Sequence, residues 1–298
     1  MPSIFISIAN YKDLETLNTV DQVIKNASGQ HQLTCMVFSQ LDLTDDRFQA
    51  LDLIPGVIHQ AVDYRLSQGV CWARAQIQKH YTGQDYYLQI DSHMLLDLNW
   101  DLTLIDQLNK APVDKPVLSC YPMPYTIDEQ GMRHVPVRST CDFQIYLKDK
   151  VPYGGSGPVA DSQIPIPSLF LAAGFIFAPG SWVTDVPYDP ELFFIGEEVS
   201  LSIRSYCQGY RMFSPGCHVV AHLYNTGNVI RPIFWDLAED HQRSILWYLR
   251  DETSLLKVKL ICQGRWHGTY GITNLDSFSE YKAAVLEKHQ VDITQVTI

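Results

Sequence analysis

An aspartate and a histidine one residue apart, Asp91 and His93, follow directly on the apolar and aromatic run Tyr86-Tyr87-Leu88-Gln89-Ile90. Residues i and i+2 of a strand point the same way, so a buried strand ending here aims both side chains at one ion. The competing reading is that Asp91 caps the next segment and His93 is a surface histidine. His222, at the end of Val219-Val220-Ala221, is the natural third ligand. Two imidazoles and one carboxylate suit Mn²⁺ better than Mg²⁺, and zinc also tolerates them. A divalent cation at such a point can grip a diphosphate and neutralise its charge on departure.

Other candidates are less sharply defined. Glu197 and Glu198 follow Gly196, and adjacent residues on regular structure do not point the same way. One is expected to face a site, and the other to be solvated or to cap a helix beginning near Val199, where its charge suits the helix dipole. Arg65 and Arg74 flank the helix before the metal strand, and either can pair bidentately with phosphate. The stretch Gly154-Gly155-Ser156-Gly157 lacks the Gly-Lys-Ser/Thr ending of a phosphate loop, and no G-x-S-x-G nucleophile motif occurs.

Elements that can position these residues alternate along the first half. Strands are expected at 4–8, 33–38, 57–62, 86–90 and 117–121. Helices are expected at about 14–24, 70–81 and 100–108, with Gly29 and Gly83 ending the first two. This order predicts an α/β fold with a mostly parallel sheet, whose ligands sit outside the carboxyl ends of the strands. Residues 122–167, rich in Pro, Gly, Ser and Asp, read as an irregular excursion near the active site. An apolar run at 169–178, a helix at 199–207 capped by Gly209, and a strand at 219–222 follow. Two amphipathic helices are expected at about 234–249 and 278–289.

With 298 residues, 46% hydrophobic and 18% charged, the chain has an ordinary globular composition. A net charge of −11 excludes nucleic acid as the main partner but not a single nucleotide, which a metal and a few basic groups can meet. The seven cysteines are scattered without a C-x-x-C pair, and read as free thiols in a reducing compartment. A core strand starting at Ile4 leaves no room for a signal peptide, and no apolar run reaches the roughly 20 residues of a membrane span. The expected location is cytoplasmic.

Several stretches together resemble one family. They are Ser7-Ile8-Ala9-Asn10-Tyr11-Lys12-Asp13, Gly69-Val70-Cys71-Trp72-Ala73-Arg74, and the string from Tyr86 to His93. Ala173-Gly174-Phe175, Val186-Pro187-Tyr188-Asp189-Pro190, Gly196-Glu197-Glu198 and His222-Leu223-Tyr224 complete the set. They resemble glycosyltransferase family 60, typified by the cytoplasmic enzyme that adds N-acetylglucosamine to a hydroxyproline of the Skp1 ubiquitin-ligase subunit. The likeness covers roughly residues 3–235, and the loop at 122–167 departs from it.

The resemblance implies a GT-A-type, Rossmann-like fold with a mixed central sheet and C-terminal helices. It further implies a UDP-N-acetylglucosamine donor, a divalent cation, and transfer with retention of configuration to a hydroxyl on a protein or glycan. Asp91 and His93 would then be a D-x-H metal motif with His222 as third ligand. Ala9, Tyr11 and Asp13 would hold uracil and ribose, and Arg65 and Arg74 would lie near the ribose or diphosphate. Gly174 and Glu197 or Glu198 would lie near the transferred sugar. The chain is expected to be one domain, with residues 1–121 as nucleotide-binding half, 122–235 as acceptor and sugar half, and 236–298 as a helical extension. Homodimerisation is left open. Two other readings remain: a metal-dependent phosphoesterase or sugar-phosphate hydrolase, and a non-catalytic UDP-sugar-binding protein.

Overall fold

A computed structural model describes residues 1–148, 151–225 and 231–296. Four strands lie parallel in the order β3-β2-β1-β4, namely β1 (Ser3–Tyr11), β2 (Gln32–Leu41), β3 (Val57–Asp63) and β4 (Tyr86–Asp91). After a bend come β5 (Met94–Leu96) and β6 (Pro116–Ser119), then the short β7 (Met123–Pro124), β8 (Thr126–Ile127) and β9 (Arg133–His134). A ribbon of β10 (Thr140–Lys148) and β11 (Val151–Val159) is followed by β12 (Ile166–Ser168), β13 (Phe175–Pro179), β14 (Arg211–Ser214) and β15 (Val220–His222). The central sheet has eight strands in the order β12-β14-β6-β13-β4-β1-β2-β3. Both β13 and β12 run against their neighbours, so the sheet is mixed, with its other strands parallel.

Strand alternation explains the two-faced core. In β1, Ile4, Ile6 and Ile8 enter one apolar layer while Phe5 enters the other. The first layer is covered by α1 (Glu15–Lys25), through Val20 and Val23. The second holds Cys71, Ala73 and Ile77 of α2 (Val70–Gln78). Trp100, Leu104 and Leu108 of α3 (Trp100–Lys110) return to the first face. The short α4 (Trp182–Asp185), and α5 (Glu197–Cys207), pack on the second. Beyond the one-turn α6 (Leu237–Asp240), α7 (Trp247–Cys262) and α8 (Leu275–His289) finish that layer.

Two expectations are corrected. The excursion at 122–167 contains an ordered ribbon: β10 and β11 pair antiparallel from Thr140↔Val159 to Lys148↔Val151. Its glycines mislead because they mark close approach and not looseness. A Cβ on Gly154 would stand 2.3 Å from the Phe170 ring, and one on Gly155 would stand 2.8 Å from the Tyr146 ring. The helix expected at 234–249 is also broken. The Asp236 carboxylate caps α6, and Asp240 then accepts the Trp247 backbone N–H at 3.0 Å, where α7 begins on a new axis of hydrogen bonding.

All seven cysteines are free, and six are buried. Among the described residues no helix is long and apolar enough to cross a membrane.

Candidate active site

Ala9 of β1 pairs with Asp91 of β4, so the carboxyl ends of the two central strands open side by side. The chain bends at Ser92 and His93 before β5, so His93 is aimed by a bend and not by the strand's pleat alone. A small sheet in the order β5-β15-β7 then brings the distant third residue home. His222 lies opposite Met94, and the Leu223 N–H donates to the His93 carbonyl at 3.0 Å.

The Nε2 atoms of His93 and His222 stand 3.0 Å apart, and His222 Nε2 is 3.2 Å from Asp91 Oδ2. These atoms form the one group of three or more metal-competent side chains among the described residues. The donor set fits a divalent cation, and the surroundings fit it further. The Asp13 carboxylate accepts from His93 Nδ1 at 2.8 Å. A proton fixed on Nδ1 leaves the Nε2 lone pair facing the cluster, which is how outer carboxylates orient metal-binding imidazoles. Burial pushes His222 down to about 4 despite its hydrogen bond to Asp91, so its imidazole is neutral at physiological pH. Burial alone would raise the Asp91 carboxyl. The His222 hydrogen bond and the Arg74 charge overcome it and hold Asp91 far below the usual carboxylate range.

Arg74 is buried and acts as a bridge. It donates to Asp91 Oδ1 at 2.7 Å and to Glu197 Oε1 at 2.5 Å. Gly174 is required at its place, because a Cβ there would stand 2.7 Å from Asp91 Oδ2. The two adjacent glutamates both reach the site and are held differently. Glu198 accepts from the Ala173 N–H at 2.9 Å and from the Tyr121 hydroxyl. Burial raises its carboxyl to about 7, with those two hydrogen bonds opposing the rise.

Two clefts of about 300 Å³ each meet at the cluster, sharing Val70, Asp91, Phe194 and His222. One contains Ala9, Tyr11, Asp13, His93 and Arg231. The other contains Arg74, Tyr121, Gly174, Glu197 and Glu198. Of the residues singled out from sequence, Arg65 alone borders neither cleft. Its guanidinium forks onto the Asp63 carboxylate at 2.8 and 2.7 Å. Tyr11 is engaged by Glu239 at 2.7 Å and by Arg243, which ties the first strand to the C-terminal segment. Sequence reasoning missed Tyr121, Tyr224 and Arg231. Tyr121 had a signal, since it follows a strand of the same sheet as Asp91. Arg231 had none, because only the fold brings its guanidinium within 3.6 Å of Asp13.

A family model described as Glycosyltransferase (GlcNAc) matches residues 53–293. Among solved structures, the chain is similar to GalNAc-T7 with UDP, GalNAc and Mn²⁺, at a TM-score of 0.60 and 16% identity. That likeness covers 98% of this chain and 58% of the other, so the chain spans less than two thirds of that protein's length. A second, S. aureus TarS 1–349 in complex with UDP-GlcNAc, gives a TM-score of 0.49 at 12% identity, over 97% and 82% of the respective chains. No curated protein sequence matches.

Proposed function

The chain belongs to the GlcNAc glycosyltransferase family and has a GT-A fold, and from that premise we propose that it moves N-acetylglucosamine from UDP-N-acetylglucosamine to a hydroxyl acceptor, with retention and with a divalent cation. The observation that carries this reading is the Asp91–His93–His222 cluster at the boundary of two clefts. The cleft at the ends of β1 and β4 suits the nucleotide, with Ala9, Tyr11 and Asp13 on its wall and Arg231 supplying positive charge near the diphosphate. The cleft holding Glu198 and Gly174 suits the sugar and acceptor. UDP and Mn²⁺ in the structurally similar GalNAc-T7 are in keeping with this assignment. Two imidazoles and a carboxylate suit Mn²⁺ better than Mg²⁺.

A cation held by Asp91, His93 and His222 would supply positive charge against the departing diphosphate. The protein's own groups do the rest. Arg74 keeps Asp91 ionised and fixed in direction, and Glu197 keeps Arg74 in place. Glu198, held on both oxygens yet with lone pairs to spare, orients the acceptor hydroxyl by accepting its hydrogen bond at the carboxylate. No carboxylate is assigned as a covalent nucleophile. Transfer is therefore read as front-face, with the leaving phosphate helping to deprotonate the incoming oxygen. Preorganised positions of this kind are where most catalytic stabilisation resides.

The test is a thermal-shift and calorimetric titration with UDP-N-acetylglucosamine, Mn²⁺ and both together. Wild type is expected to bind nucleotide strongly only with metal, and His93→Ala to lose that dependence while keeping its circular dichroism spectrum. Equal nucleotide binding with and without metal, or an unaffected variant, overturns the reading. The anomer first released on slow hydrolysis, followed by NMR, tests retention.

A further inference from the structure

We propose that Asn10, which lies outside the span matched by the family model, is a positioning residue for the metal centre, acting through Asp13 on His93. The proposal rests on the reading of Asp91, His93 and His222 as metal ligands.

A continuous polar chain leads from the surface to His93. Asp52, at the surface, faces His59 Nδ1 at 3.1 Å, and His59 Nε2 faces the Ser39 hydroxyl at 3.0 Å. Asn10 Nδ2 donates to Ser39 Oγ at 3.1 Å, and Asn10 Oδ1 accepts the Asp13 N–H at 2.9 Å. Asp13 then meets His93 as described above.

Donor and acceptor roles along this chain follow from the ends inward. An ionised Asp52 only accepts, so the proton of a neutral His59 sits on Nδ1 and leaves Nε2 as acceptor. Ser39 therefore donates to His59, which leaves its oxygen free to accept from Asn10. The Asn10 amide is thus oriented, with its nitrogen toward Ser39 and its oxygen toward Asp13. Asn10 and Ser39 are fully buried, so an unmade bond here has no water to replace it.

The turn being held is a strained one. Lys12 has φ of +53°, a left-handed conformation that strains a non-glycine residue. Asn10 bridges this turn by bonding Asp13 three residues on. Asp13 also starts α1, accepting the Glu15 N–H at 2.9 Å. Asp13 is consequently held at its N–H by Asn10 and at Oδ1 by the helix start, while Oδ2 accepts from His93 Nδ1 and, at 3.2 Å, from the Ser92 hydroxyl. Asn10 and Ser39 border neither cleft, so they reach the metal centre only through Asp13. The effect of this network is to hold one imidazole in one tautomer and one direction.

The experiment measures Mn²⁺ affinity calorimetrically, without substrate, in wild type, Asn10→Ala, Ser39→Ala, Asp13→Ala and the Asn10→Ala/Asp13→Ala pair. Asn10→Ala is expected to weaken Mn²⁺ binding by roughly 10–100-fold, the usual scale for outer-shell losses, with Ser39→Ala weaker in the same direction. The decisive result is the double variant. If Asn10 acts through Asp13, Asn10→Ala costs nothing further once Asp13 is gone. Additive losses, or an Asn10→Ala variant of wild-type affinity, overturn the proposal. Should Asn10→Ala fail to fold, Ser39→Ala with ¹⁵N NMR of the His93 imidazole reads the same point, because it removes the group that orients the Asn10 amide; a tautomer population unchanged from wild type counts against it. A wild type that binds no Mn²⁺ instead refutes the metal reading, which separates the two failures.

Discussion

Glu197 and Glu198 are neighbours in the chain and meet opposite fates. Glu197 is spent on Arg74, and through it on Asp91. Glu198 sits on the Tyr121 hydroxyl and the Ala173 N–H with a carboxyl raised to about 7 by burial. Such a group changes charge across the neutral range, so activity that needs its carboxylate should rise as pH climbs through 7. Glu198→Gln should flatten that limb and lower kcat by roughly 100-fold, the scale of a charged hydrogen-bonding group lost from the transition state. Stability should move the other way. The folded state holds this proton from 4.5 up to about 7 while the unfolded chain has released it, so wild type loses stability as pH rises across that window. Urea midpoints across that window should slope for wild type and not for Glu198→Gln. The sequence displayed both glutamates but not their division of labour, because only the fold supplies Arg74 to one and Tyr121 to the other. Asp91 and His93 were legible for the contrary reason: their spacing and their place at a strand end are local properties. Arg65 illustrates the converse: its guanidinium lies on Asp63, two residues away, and borders neither cleft.

At the scale of elements, the central sheet was readable because alternation of strand and helix follows from apolar period alone. The β10–β11 ribbon was not, because its second strand reads Val-Pro-Tyr-Gly-Gly-Ser-Gly-Pro-Val and carries almost no strand propensity. What places it is contact with elements distant in sequence: Phe170 and Tyr121 press against Gly154, and both border the cleft with Glu198. The ribbon is therefore a wall of the site, built with glycine so that it can approach. This view has a testable asymmetry. Gly154→Ala pushes a methyl into the Phe170 ring and should cost about 1–3 kcal/mol by overpacking. Gly157→Ala meets nothing within 4 Å and should be close to neutral. Chemical denaturation of the two variants checks both at once, and equal effects would show the ribbon to be uniformly loose after all. The broken helix at 234–249 has a similar origin. Its apolar residues are spent on the cleft, where Phe234 and Trp235 face Tyr11 and Phe194, and not on a continuous helical stripe.

At the scale of the molecule, the question is whether residues 236–298 are an extension or part of the body. The sequence suggested an extension because the family resemblance fades there. The packing argues for one body. A single apolar cluster contains Phe5 of β1, Ile77 of α2, Ile176 of β13 and Val199 of α5 together with Val258 of α7 and Val285 of α8. The buried Lys257 of α7 pairs with Asp189 at 2.6 Å, and the Tyr281 hydroxyl of α8 donates to the Leu169 carbonyl at 2.8 Å. Arg243, buried against Phe234, reaches the hydroxyl of Tyr11 in β1. Removing α7 and α8 would uncover the apolar faces of α5 and the β10–β11 ribbon on which they pack, at a cost of roughly 25 cal/mol for each Å² of apolar surface returned to water. Stabilities of whole domains are only about 5–15 kcal/mol, so loss of that buried surface is expected to unfold the chain. The full chain is therefore expected to unfold in one transition by calorimetry, with matching calorimetric and van't Hoff enthalpies. UDP with Mn²⁺ should raise that single transition as a whole, because Tyr11, on the wall of the cleft proposed for the nucleotide, is bonded to Glu239 and Arg243 of that segment. A chain ended before Trp247 should show no cooperative transition. Two separate transitions in the full chain, with only one responding to nucleotide and metal, would instead make the C-terminal helices an independent unit.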